Sequence, residues 1–126
     1  MIKKIIYTEN APKPVGPYNQ AVLVGETLYI SGQIPMNPST NTMIDSDISL
    51  ATKQVMENIG AILEKAEMDF NNIVKCSIFV RDMAKFKEVN AVYFNYFPED
   101  FPARETVEVS GLPLHALVEI SAIAVK

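Results

Sequence analysis

Two charged residues near the C-terminal end have the types and setting to do chemistry. Arg104 opens an alternating run through Val109, and Glu119 is the one charge within Leu117–Val125. A carboxylate among Leu117, Val118, Ile120, Ala122, Ile123 and Ala124 is costly unless it is paired or used. Arg104, on the strand before it, is a cation suited to the same site. Two readings stand at this point. Either Arg104 and Glu119 form one polar site set in a hydrophobic sheet, or they are a buried ion pair with no chemistry.

Other residues join them as candidates. The segment Glu9–Gln20 carries Pro12, Pro14, Gly16 and Pro17, which exclude a regular helix and give a stiff loop. It delivers Tyr18, either a packing residue or a pocket wall. Ser31 and Gly32 end a strand, and a glycine there either terminates it or lets a ligand or backbone approach closely. Asn90 falls on an otherwise apolar helix face with Phe86, Val89, Tyr93 and Phe97. A buried amide needs partners, so it bonds a neighbouring strand or faces a ligand. Cys76 sits among apolar residues and reads as a small buried thiol.

The elements that must position these groups follow from periodicity. Ile2–Tyr7 is a short β run. Gln20–Val24 and Thr27–Ser31 flank Gly25-Glu26, a two-residue hairpin turn. Pro35–Asp45 reads as a polar loop. Asp45, Ser46 and Asp47 are N-cap candidates for an amphipathic helix with Ile48, Ala51, Val55, Ile59, Ile62 and Ala66 on one face, ending near Met68. Ile73–Arg81 alternates, with Val74, Cys76, Ile78 and Val80 on the apolar side. Asp82 caps a second helix and Pro98 ends it. On the next strand Arg104, Thr106 and Glu108 share one face, with Val107 and Val109 on the other. Gly111 and Pro113 mark the connection to the last strand.

The order β, β, β, α, β, α, β, β gives one α+β domain over residues 1–126, with both helices on one face of the sheet. Leu117–Val125 is apolar on both sides, as in a central strand covered twice. Two helices cover one side only, so a second subunit is the expected cover for the other.

Composition narrows the function classes. The chain has 126 residues, 48% hydrophobic and 21% charged, with a formal net charge of −4. It has no run of Lys or Arg, and the acidic balance disfavours nucleic acid. One cysteine and one histidine allow no internal disulfide and supply no metal-ligand spacing. The N-terminus turns polar too soon for a signal peptide, and no apolar run reaches membrane length. A soluble cytoplasmic protein is expected.

Several stretches together resemble the Rid family of reactive-intermediate imine/enamine deaminases. They are NAPKPVGPYNQA, TLYISGQIP, the VN within FKEVNAVYF, FPARETVEV, and LPLHALVEISAIA. The resemblance spans essentially the whole chain and is closest to the RidA group of 2-iminobutanoate/2-iminopropanoate deaminases. It implies a chorismate-mutase-like fold: a six-stranded mixed sheet, two helices on one face, and a homotrimer with sites between subunits. It also implies that Arg104 holds the substrate carboxylate and Glu119 handles the catalytic water. Tyr18, Ser31, Gly32, Phe86 and Asn90 would line the site. Many RidA members have Cys where this chain has Thr106. A hydroxyl there still bonds a ligand, but a thiolate role is lost.

These residue types suit the implied reaction. A guanidinium grips a planar carboxylate through two parallel hydrogen bonds and so places the neighbouring C=N carbon. One carboxylate then suffices to orient and deprotonate water. No metal or cofactor is called for. Burial would raise the Glu119 pKa and Arg104 would lower it. The alternative is a non-catalytic trimer that binds small carboxylate metabolites and regulates a partner.

Overall fold

The computed structural model describes residues 1–126. Its main sheet contains β1 (Lys3–Ile6), β2 (Ala21–Val24), β3 (Thr27–Gln33), β6 (Ile73–Val80), β7 (Ala103–Glu108) and β8 (Val118–Val125). The spatial order is β1-β2-β3-β8-β6-β7. Only β6 and β7 run parallel, joined through a helical crossover as parallel strands require. The sheet is therefore mixed, as expected.

β2 and β3 form the anticipated hairpin, and Gly25 takes the positive φ of 60° that the turn demands. Between β3 and the first helix, Pro35–Asp45 is more ordered than a loop. It forms a small hairpin of β4 (Met36–Asn37) and β5 (Thr42–Met43), with Asn41 in the left-handed region at its turn.

Helix α1 spans Ile48–Lys65 and is N-capped by Asp47, whose side chain accepts from the amides of Ser49 and Leu50. It stops short of Met68, and Glu67 turns left-handed just beyond. Helix α2 spans Phe86–Phe94. Asp82 caps a 3₁₀ turn (Met83–Lys85) that feeds into α2, not α2 itself. The helix ends four residues before Pro98, so proline does not stop it.

One core cluster lies between the helices and the sheet. It includes Ile59, Ile62, Leu63, Ile78, Val89, Val118 and Ile120. On β8, Val118, Ile120, Ala122 and Ala124 are buried while Glu119, Ser121 and Ile123 are half-buried and Val125 is exposed. Paired strands keep this alternation, so the side away from the helices carries Ile5, Tyr29, Val107 and Val125, exposed by 49, 52, 43 and 37%. Within the chain this face is open. No helix is long and apolar enough to cross a membrane.

Val74 was expected on the buried side but is exposed. The β6–β8 register shifts between Ile73 and Lys75, and that irregularity turns Val74 outward.

Candidate functional site

The chain builds two separate clusters from the candidate residues. The first surrounds Arg104. Its NH1 donates to Asn90 Oδ1 at 2.8 Å. Its guanidinium carbon lies 5.0 Å from the centroid of the Tyr93 ring and 5.6 Å from that of Phe86. Asn90 thus bonds neither strand backbone nor solvent alone; it steadies the cation. Two rings and one amide hold the guanidinium, with further N–H groups left to grip an anion. Thr106 shares this face, and its buried Oγ1 has no hydrogen-bond partner.

Beneath Arg104 lies Cys76, directly opposite it in the β6–β7 register. Burial pushes the Cys76 thiol up to about 11, with the Tyr93 hydroxyl and Arg104 only partly offsetting it. Burial likewise raises Tyr93 well above the ordinary phenol range, and its hydroxyl lacks a partner of good geometry. Cys76 is an inert core thiol, as its setting among apolar residues implied.

The second cluster surrounds Glu119. β3 bulges between Ile30 and Gln33, so that Ser31 and Gly32 stand opposite the single residue Ser121. The bulge brings Gly32 hard against the Glu119 side chain. A β-carbon at Gly32 would lie 2.7 Å from Glu119 Cδ and 2.9 Å from Oε1. Gly32 does not end the strand, which runs on to Gln33, and what approaches it closely is the Glu119 side chain, neither a ligand nor a backbone. Ser31 Oγ donates to Asn19 O at 2.6 Å, and Ser31 N donates to Gln20 O. Tyr18 is half exposed and lines a small cavity with Gly32; its hydroxyl accepts weakly from Val15 N at 3.3 Å. Burial raises the Glu119 carboxyl above its ordinary value, with no cation opposing it in the chain.

Arg104 and Glu119 do not meet within one chain, and no ion pair joins them. The reason is topological. β7 and β8 are consecutive but not adjacent, because β6 lies between them. Across the sheet Arg104 aligns with Cys76 and Ala122, on the helix side. Glu119 aligns with Phe79 and Val107, on the open side. The chain's one salt bridge is elsewhere, Lys75 Nζ to Glu105 at 3.3 Å, with Ser77 also donating to Glu105.

Sequence reasoning also missed Gln20. It is buried, accepts from Thr8 N at 2.8 Å, and donates to the carbonyls of Thr8, Ala11 and Pro12 at 2.9–3.2 Å. It ties down the proline-rich loop that presents Tyr18. An amide at the head of an apolar strand was the available signal.

The family model described as Endoribonuclease L-PSP matches residues 8–126. The chain belongs to the Rid family. It is 42% identical over 126 residues to the human 2-iminobutanoate/2-iminopropanoate deaminase, covering all of this chain and 92% of that one. A RutC family protein of Pyrococcus horikoshii is 50% identical over 125 residues, 99% of each chain. Among Rid-like structures, RidA from an Antarctic Psychrobacter superposes with a TM-score of 0.95 at 39% identity, covering 98% of this chain and 99% of that one. Escherichia coli TdcF with bound serine superposes at 0.94 and 36%, covering 98% of each.

Proposed function

We propose that this Rid protein hydrolyses 2-imino acids and their enamine tautomers, such as 2-iminobutanoate and 2-iminopropanoate, to 2-oxo acids and ammonia. The site is composite, formed where two copies of the chain meet in a homotrimer. One copy supplies Arg104, Asn90, Phe86 and Thr106; the next supplies Glu119, Gly32, Ser31 and Tyr18. The observation that carries this reading is the pair of half-sites on opposite faces of one sheet. β7 is an edge strand, so Arg104 stands at the sheet margin, within reach of a neighbour's open face. The apolar side chains exposed on that face favour such an assembly. Relatives named as deaminases and one structure containing serine, a small amino acid, support the substrate class.

The chemistry follows from the two halves. The free N–H groups of Arg104 hold the carboxylate and fix the plane of the C=N bond. Glu119 takes a proton from water as the water oxygen bonds to the imine carbon, the C=N π pair moves to nitrogen, and Glu119 hands the proton on to that nitrogen. Glu119 then moves the carbinolamine's hydroxyl proton to the amino nitrogen as the C–N bond breaks, giving the 2-oxo acid and ammonia. Burial of Glu119 moves its pKa toward neutrality, where a group that both takes and returns a proton works best. The Thr106 hydroxyl, unpartnered in the chain, is available to the substrate.

The test has two parts. A threonine dehydratase generates 2-iminobutanoate, and the protein should accelerate 2-oxobutanoate formation; no acceleration leaves the binding-protein alternative. Arg104→Ala and Glu119→Ala chains, each inactive, are then unfolded and refolded together. Random cyclic trimers should recover about a quarter of native activity, because mixed trimers hold one intact site in three. No recovery from properly mixed trimers would rule out the composite site. The family model's name raises RNA cleavage, but a net charge of −4 and the absence of any run of Lys or Arg disfavour a phosphate backbone.

A further inference from the structure

A wall of aromatic rings runs from the core to the surface beside Arg104. Tyr93 and Phe97 are buried and pack at 4.7 Å between centroids. Phe97 meets Phe101 at 6.1 Å, and Phe101 meets Phe94 at 5.4 Å. The last two are 52% and 62% exposed, although rings of this size are normally withdrawn from water. Phe94 stands one helical turn after Asn90, and so on the same side of α2. Phe101 lies three residues before Arg104. Both rings, with Asn90, Tyr93, Pro102 and Arg104, line a cavity of about 300 Å³.

The cavity therefore has one cationic end and one apolar, aromatic end. A ligand that fits both is a small carboxylate with a bulky apolar substituent. We propose that Phe94 and Phe101 form the subsite for the substrate side chain, and that they select 2-imino acids with large aliphatic or aromatic side chains over two- to four-carbon ones. The proposal rests on the deaminase reading for the word substrate, but not for the binding preference. Enzymes that oxidise apolar amino acids at the α-carbon would supply such imines.

The probes are the stable 2-oxo acids pyruvate, 2-oxobutanoate, 4-methyl-2-oxopentanoate and phenylpyruvate, titrated calorimetrically into the full-length protein. Phenylpyruvate should bind about fivefold more tightly than 2-oxobutanoate, the gain expected of ring contacts worth ~1 kcal/mol. Phe94→Ala and Phe101→Ala should each reduce that ratio several-fold. Both positions are exposed, so the variants should fold, and circular dichroism checks this. Equal affinities in the native protein overturn the proposal, as does a ratio unchanged in both variants. A change in sedimentation on Phe94→Ala also overturns it, because the ring would then belong to contact between copies. If the preference holds while no imine is hydrolysed, the deaminase reading fails and the subsite stands.

Discussion

Gly32 lies hard against Glu119: a β-carbon at position 32 would come within 2.7 Å of the carboxylate carbon, closer than real contacts allow. The β3 bulge creates this approach, and the glycine keeps it open. Gly32→Ala should therefore displace the Glu119 carboxylate. A misplacement of about 1 Å at a reacting group can cost ~10²-fold in rate. The coupled imine assay should show a loss of that order, with native circular dichroism. Undiminished turnover would mean the position of Glu119 does not matter.

Arg104→Lys should be nearly as damaging as Arg104→Ala. Lysine keeps the charge but loses the planar contact with Phe86 and Tyr93 and the two-pronged grip. A hydrogen bond to a charged partner is worth ~1.5–3 kcal/mol, so kcat/KM should fall roughly 10- to 100-fold. Recovery of native kcat/KM by lysine would show that charge alone is needed.

Glu119 should cost stability at neutral pH. Its folded pKa is raised by burial above the ordinary 4.5, so the folded state favours the protonated form. Below the unfolded value both states are protonated and there is no difference. As pH rises through that value and then the folded one, the unfolded state gains more from ionisation and stability falls. Glu119→Gln should match the native thermal midpoint well below pH 4.5 and exceed it at neutral pH. The acid limb of kcat/KM should likewise sit above the ordinary carboxylate value. A native midpoint higher than that of Glu119→Gln at neutral pH would show that the neighbour's Arg104 lowers the Glu119 pKa more than burial raises it.

Gln20→Leu should destabilise the protein although it puts a hydrocarbon in a buried place. It strands Thr8 N–H and the carbonyls of Thr8, Ala11 and Pro12. Orphaned buried groups cost ~1–3 kcal/mol each when no rearrangement rescues them. Loosening of the loop should also weaken activity through Tyr18. Denaturant melts measure the first effect and imine turnover the second. An unchanged melting curve would show that water replaces the amide without loss.

Much of this was readable along the chain. The α1 cap, which falls to Asp47 among the three candidates, the α1 stripe and the hairpin at Gly25 depend on neighbours within a few residues and stand where those patterns lie. Val74 was misread because a bulge overrode local periodicity, and the end of α2 was misread because the helix stops four residues before the proline expected to end it. The β4–β5 hairpin was missed because strands of two residues leave no period to detect. Glu119 stood out as a costly charge, since the penalty of burying charge depends on residue type and apolar surroundings, and Arg104 as the nearest cation along the chain.

The amino-acid order by itself marked Arg104 and Glu119 as candidate groups, put Arg104 and Thr106 on one face, and put Glu119 in an inner strand. Only the tertiary structure decided that β6 enters between β7 and β8 and puts Arg104 and Glu119 on opposite sides of the sheet. Strand alternation specifies a side chain's face relative to its own neighbours. Which faces of different strands coincide depends on pairing across long loops, and that is set when the whole core closes.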